Sequence, residues 1–514
     1  METSTRIVKN TSYLYIKMIV NLLISLYTAR VFLNTLGASD YGLYTLIAGT
    51  IFMFGFLQDT LSRSTLRYLC YYKAKNDFLL QKKVYSISIV LHLIISFVIA
   101  LNLILIADFL FSGFLNIEPS RIHAARYVYY FMIVSFSFTV MSVPYDSILN
   151  ANEDMFYYSV IGIIESLMRL VLAIWLPYVG MDKLVFYSLF LSLITIFSLV
   201  VKRIYCYRKY EECQFSMSLF DKTLAKQMTS YAGWNFLTSI TSLISFNSMP
   251  LLLNNFFSTV VNAAQGIAAQ VNGILMVFSS NLLKALNPTI TKSGGINDTE
   301  KAMRFSITGS KLSFLITCFL SVPIIIECRY ILKLWLVNVP EWASVFCALL
   351  LIRSLANQLI TVYAECIYAS DNIKNYCIVK GILNLIPIFL VYLCFKMGAA
   401  PYSIYVVLFI CWELLGGAVI IYYNKKMYRL DIPFYLRHLV FPCIGILVVG
   451  LVTGFLINAL LTESIFRLIL NIILPTLIVA SLSWLYILDV EERTLFIKMT
   501  DKIVSYSKKT IYHD

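Results

Sequence analysis

Apolar residues fall in long runs along this chain. They show neither the strict alternation of a strand nor the three-and-four spacing of a soluble amphipathic helix. A bilayer-spanning helix needs roughly 20 mainly apolar residues, and about 14 such runs follow one another here. Their centres lie near Leu23, Met53, Phe97, Phe138, Met168, Ser192, Ser242, Leu275, Ile316, Ser354, Ile386, Val407, Val449 and Thr476. The pattern predicts an all-α polytopic membrane protein with short outer connections that leave no room for an external domain.

Composition agrees. The chain has 514 residues, of which 59% are hydrophobic and 13% charged, with a mean hydropathy of +0.78. Soluble domains carry about 25% charged residues. No water-soluble fold hides so much apolar surface, so the solvent is lipid. The net charge of +13 does not point to nucleic acid, because the basic residues collect in alternate loops. With Arg6 and Lys9 placed inside, the inner segments are Arg63–Lys83, Lys202–Lys226, Lys292–Arg304, Lys425–Arg437 and a tail with Arg493, Lys498, Lys502, Lys508 and Lys509. This is the positive-inside pattern, and an even number of helices preserves it. Both termini are then expected in the cytoplasm. The N-terminal run is too long for a cleaved signal peptide and lacks a small-residue cleavage site, so the first helix is expected to be retained.

The longest inner loop divides the chain. Residues 1–201 hold the first six helices and 231–424 the next six. Residues 425–514 hold two more helices and the basic tail. The linker, 202–230, contains most of "SLFDKTLAKQMTSY", expected to form a surface helix with Leu219, Leu224 and Met228 towards lipid. The halves look related. "VFLNTLGASDYGLYTL" joins helices one and two, and "PLLLNNFFSTVVNAAQGIAAQV" joins helices seven and eight. Each passes from an apolar run through Asn and an outer turn without Lys or Arg into a Gly-containing helix. Six helices return the chain to the same side, so the repeat is parallel.

Charges inside the runs are the candidate chemistry, since each costs roughly 2.5–3.5 kcal/mol at a helix centre. Arg353, Asn357, Thr361 and Glu365 lie four apart and form a polar stripe on helix ten, which suits either a wet cavity or a buried network between helices. Glu165 and Arg169 have ion-pair spacing on helix five. Lys17, Asn21 and Ser25 line helix one. Arg30 lies round the helix from Lys17 and could face a cavity or snorkel to the headgroups. Arg63 and Lys284 end helices two and eight in equivalent places, where cations either anchor the helix or meet an anionic headgroup. Asn235, Ser239, Ser242, Gln265, Asn272 and Ser279 are uncharged polar lining. Glu365, Glu413 and Glu165 are candidates for ion coupling, since buried carboxylates hold protons near neutral pH. There is no CxxC pair, Cys/His cluster, P-loop, nucleophile elbow or metal-binding pair. No metal, cofactor or enzymatic role is expected, and the 11 cysteines read as apolar packing.

"NTLGASDYGLYTL", "SYAGWNFLTSI" and "LLKALNPTITKSG", in that order within fourteen expected helices, resemble the polysaccharide-exporter branch of the multidrug/oligosaccharidyl-lipid/polysaccharide exporter superfamily. The resemblance implies two parallel six-helix lobes around a central cavity that opens alternately to each side, plus two extra C-terminal helices. It implies a flippase for undecaprenyl-diphosphate-linked oligosaccharide repeat units in the bacterial inner membrane, serving O-antigen, capsule or exopolysaccharide assembly. A glycan polymerase and chain-assembly proteins are the implied partners, with membrane lipid. The neighbourhood of Arg30, Gly42 and Lys284 carries over as a cationic path. Two other readings stay open. One is a cation-coupled small-molecule antiporter of the same superfamily, against which the final helix pair argues. The other is a membrane polysaccharide polymerase or glycosyltransferase, against which the short outer loops argue.

Overall fold

A computed structural model describes residues 2–114, 117–257, 259–295, 298–336, 339–370, 372–490 and 492–494. The tail cations Lys498, Lys502, Lys508 and Lys509 lie outside the described residues. Among the described residues there are helices and connecting turns and no strand. In chain order the helices are α1 (Glu2–Phe52), α2 (Gly55–Ala74), α3 (Phe78–Phe109), α4 (Ile122–Ala151), α5 (Met155–Trp175), α6 (Lys183–Lys209) and α7 (Lys222–Phe256). Then come α8 (Thr259–Gly295), α9 (Thr299–Trp335), α10 (Ala343–Ala369) and α11 (Lys374–Lys396). The last three are α12 (Ser403–Tyr428), α13 (Ile432–Leu460) and α14 (Ile465–Ile487).

Among the described residues twelve helices are long and apolar enough to cross a membrane, and the bent pair Asp40–Ile51 and Gly55–Ala74 makes up to thirteen. The expected count of about 14 includes one more, centred on Leu23. That run is the arm of α1 before Gly37. It is helical, but Lys17, Asn21, Ser25 and Arg30 interrupt its apolar character. Gly37 has φ 79 and ψ 169, which breaks α1 into two arms. The expected centre at Met53 falls on the 45° bend between Asp40–Ile51 and α2.

Capping sets many helix starts. Asp77, Asp154, Asp182, Asp298 and Ser464 each accept a hydrogen bond from a backbone N–H of the first turn that follows. These residues satisfy donors that the helix itself cannot. The helix surfaces show what surrounds them. On α13, Phe441, Ile444, Val448, Val452 and Phe455 are exposed, while Cys443, Ile446, Gly450, Gly454 and Ile457 are buried. Gly450, Gly454 and Cys443 face the protein beside two isoleucines, and the outward residues are large and apolar. Leaving such a side chain in water costs roughly 1.5–3 kcal/mol each, so this face belongs in lipid.

The chain divides into two compact units. One is Asn10–Ser239, and the other combines residues 1–9 with 240–514. In the first, Leu43 and Ile47 of α1 pack with Ile99 and Leu103 of α3 and Tyr129, Met132 and Phe136 of α4. A second core joins Phe32 of α1 to Leu172 of α5 and Tyr187 and Ile194 of α6. Arg121 staples one end of this unit. Its Nε donates to Asp40 at 2.9 Å and its terminal nitrogen to Asp182 at 2.6 Å. At the basic end Asp154 accepts from Lys209 and Tyr205 at 2.7 Å and from Tyr210 at 2.8 Å. Burial alone would raise this carboxyl, but those three donors outweigh it and hold Asp154 below the ordinary carboxylate range. Leu224 and Met228 of α7 are buried at 5% and 1% exposure. Of the expected lipid-facing surface helix, Leu224 and Met228 thus sit in the packed first turns of α7, with Met228 offering its carbonyl to Ser64, while Leu219 lies before it in the short turn Met217–Leu219.

In the second unit Met249 and Leu253 of α7, Ala264 and Ala268 of α8, and Phe346 of α10 share a core with Tyr405 and Leu408 of α12. The final helix pair is part of this unit. Gly450 and Gly454 lie against Val322 and Ile326 of α9. Beside them Arg467 of α14 holds both carboxylate oxygens of Glu327 at 2.8 Å. Asn471 bridges Glu327 to Asn458, each at 2.7 Å. Glu327 has φ -104 and ψ 19, so this network sits at the kink of α9.

Candidate functional site

Some of the expected charges come together within each unit, Lys17, Glu165 and Arg169 in the first and Arg353 and Glu413 in the second. In the first unit Lys17 of α1 lies 3.9 Å from the ring centre of Tyr158 on α5. A side chain at Gly162 would collide with it, so glycine is what lets the lysine lie along α5. One turn on, Ser166 donates to Asn21 at 2.8 Å. Arg169 pairs with Glu165 at 2.5 Å, and Ser198 of α6 reaches the other oxygen of Glu165 at 3.3 Å. Lys202 pairs with Asp146 of α4 at 2.8 Å. Three cations therefore accompany two carboxylates. The side chain of Arg30 lies outside the described residues.

The second unit repeats part of this plan. Asn384 of α11 donates to Ser242 of α7 at 2.8 Å, as Ser166 of α5 does to Asn21 of α1. Arg353 of α10 donates from Nε to Glu413 of α12 at 3.0 Å. Its guanidinium lies 4.8 Å from the ring centre of Trp412. Glu413 and Trp412 sit on a π-helical turn, Phe409–Leu415. Such turns widen a helix and re-aim its side chains, often at functional sites. A third charge, Lys380 of α11, has its ammonium 3.2 Å from where a side chain on Gly416 would begin. Lys380 is within electrostatic reach of both Glu413 and Arg353.

The stripe on α10 is partly exposed along Arg353, Asn357, Thr361 and Glu365. Thr361 bonds Asn357 at 2.6 Å. Asn272 of α8 accepts from Ser354 at 2.6 Å, and Ser279 bonds Thr317 at 2.6 Å. Gln265 keeps a buried carbonyl oxygen without a partner among the described residues. Asn235 stands apart. It is 1% exposed and donates to the carbonyl of Tyr231 on its own helix. Arg63 is exposed on α2, and Lys284 is partly buried on α8.

Sequence reasoning passed over Lys380, Asp146 and the Arg467–Glu327 pair, and counted Lys202 only among loop cations. Each lies near the end of an apolar run, where a charge reads as an interface anchor. The available signal was depth for Lys380, which stands six residues inside a helix that already opens on Lys374.

Three solved structures are similar to this chain in fold. A mutant MATE protein aligns over 82% of this chain and 96% of its own, with a TM-score of 0.73 at 13% identity. MATE in the bent conformation aligns over 84% and 96%, with a TM-score of 0.72 at 14% identity. A MOP superfamily transporter from Pyrococcus furiosus, described by a reverse polarity of its binding pocket that suggests a different function, aligns over 82% and 95%, with a TM-score of 0.70 at 13% identity. No curated protein matches the chain. The fold is that of the MATE-type transporters of the MOP superfamily, a class of polytopic membrane proteins. The profile of the family described as polysaccharide biosynthesis protein matches residues 7–293. The match covers more than half of the sequence, and the chain belongs to that family.

Proposed function

We propose that this protein is a flippase for undecaprenyl-diphosphate-linked oligosaccharide repeat units in the bacterial inner membrane, with both termini cytoplasmic. The observation that carries the reading is the surplus of embedded cations, with Arg353 and Lys380 beside the single carboxylate of Glu413. Membership of a polysaccharide biosynthesis family on a transporter fold supports it. Embedded charge is costly unless it is paired or faces water, and a surplus of positive charge in a wet cavity suits a visiting anion. A diphosphate is such an anion, and a guanidinium matches its oxygens. The sugars cross in a hydrated path by alternating access, while the polyprenyl tail stays in lipid, where it loses no apolar burial. The glycan then passes to a polymerase and to O-antigen, capsule or exopolysaccharide assembly.

The likeness to MATE structures favours a second reading, a cation-coupled exporter of small molecules. The two separate in proteoliposomes carrying a labelled lipid-diphosphate oligosaccharide. The flippase moves the lipid across, and Arg353→Ala, still folded, loses at least tenfold in rate. No transfer by the wild type, with or without a proton or sodium gradient, rejects the flippase and favours the antiporter.

A further inference from the structure

Two arginines of the second unit bond a buried glutamate and use their donors differently. A guanidinium carries five N–H donors. Arg467 uses Nε and both terminal nitrogens, on Glu327 and on the carbonyl of Leu461. Arg353 uses only Nε, side-on, for one oxygen of Glu413. Its side chain keeps 18% exposure, against 2% for Glu413. The other oxygen of Glu413 is buried without a hydrogen-bond partner among the described residues. Lys380 makes neither an ion pair nor a hydrogen bond among them. The indole N–H of Trp412 and the hydroxyl of Tyr405 are also buried and unpartnered among the described residues. Tyr405 lies within electrostatic reach of Arg353.

The inventory is rich in donors and short of acceptors. Two cations lie within electrostatic reach of one carboxylate, whose bond to Arg353 leaves the terminal nitrogens unused, and the Trp412 ring lies against that guanidinium. Unpaired buried donors are costly, and charged ones more so. The arrangement fits an oxyacid anion with several oxygens better than it fits the single carboxylate in place. Trp412 holds the guanidinium by its face and leaves its edge available. The π-helical turn carries the carboxylate, and Gly416, the next residue along, leaves room for the ammonium.

We propose that Arg353 and Lys380 form one binding site for an oxyacid anion, a phosphate or a carboxylate of the carried molecule, and that this anion displaces Glu413 from Arg353. The inference deepens the flippase reading and rests on it for the identity of the cargo. Glu413 then acts as a built-in competitor, and binding strength follows from its removal as well as from loss of the cations. The two sources of the anion, lipid diphosphate and acidic sugar, share this chemistry.

The test uses the purified full-length chain and two probes, inorganic pyrophosphate and glucuronate, with affinity read by calorimetry at fixed ionic strength. Lys380→Gln is expected to weaken binding at least tenfold, with Lys380→Arg restoring it and excluding a folding defect. Glu413→Gln is expected to tighten binding at least threefold, a sign that a merely structural ion pair does not give. Binding of pyrophosphate alone assigns the site to the diphosphate, of glucuronate alone to an acidic sugar, and of both to either. Binding of neither probe, or an affinity unmoved by Glu413→Gln or by Lys380→Gln, overturns the proposal. Correct signs without lipid transfer in proteoliposomes leave the site standing and reject the flippase. Lipid transfer without those signs rejects the site and leaves the flippase.

Discussion

At the scale of single residues, the surroundings of a buried glutamate decide whether its arginine is structural. Glu327 is 1% exposed, and both its oxygens are met by Arg467, with Asn471 adding a third bond. Removing the arginine strands a charge in a low-dielectric interior. Arg467→Ala is therefore expected to destabilise the protein by about 3–5 kcal/mol. The double replacement Arg467→Met with Glu327→Leu removes the charge along with its partner and recovers most of the loss. Thermal unfolding of the purified protein in detergent checks this. Equal damage from the single and the double variant contradicts the account. Neither residue stood out in the sequence, because the partners are 140 positions apart and each reads alone as an interface charge. Arg353 and Glu413 were each legible as embedded charges, but their pairing was not, since only the packing of α10 on α12 joins them.

At the scale of elements, the apolar runs foretold the helices well, and all but one expected centre fall inside one. The exception, Met53, lies on the bend after Ile51, where two helical pieces of one run meet. Hydropathy reports how apolar a run is and says little about its direction, so bends escape it. Gly37 was visible as a turn residue in "NTLGASDYG", and its backbone explains why the turn sits there. A φ of 79 with ψ of 169 lies in a region open essentially to glycine. Gly37→Ala is expected to cost about 1–3 kcal/mol of stability. Gly42→Ala, five residues on, has open space around the new carbon and no positive φ. It is expected to be neutral or slightly stabilising, as helix propensity favours alanine. Melting temperatures of the two variants, side by side, test whether the break in α1 depends on the backbone of that one glycine. A Gly42→Ala protein that melts as low as Gly37→Ala refutes it.

At the scale of the whole molecule, charge placement and run count together made the class readable. The chemistry was less so, because an embedded cation acquires meaning only from what other helices bring to it. The final helix pair shows the same limit. From the sequence α13 and α14 read as additions to two sets of six. The structure makes them one body with α9, through Gly450 and Gly454 against Val322 and Ile326, and through Arg467 on Glu327. Lys311 of α9, 2% exposed, also pairs with Asp489 just beyond α14 at 2.8 Å. A chain ending after Tyr428 thus loses the partners of two buried charges on one helix, besides the small-residue face that α9 packs on. Such a truncation is expected to leave a protein that inserts but does not survive detergent extraction as a monodisperse species. Adding Glu327→Leu and Lys311→Met to the same truncation is expected to restore part of the soluble yield, since the stranded charges then vanish. If the simple truncation is as well behaved in size-exclusion chromatography as the full chain, the last two helices are accessory and α9 is held by its other neighbours, α8 and α10.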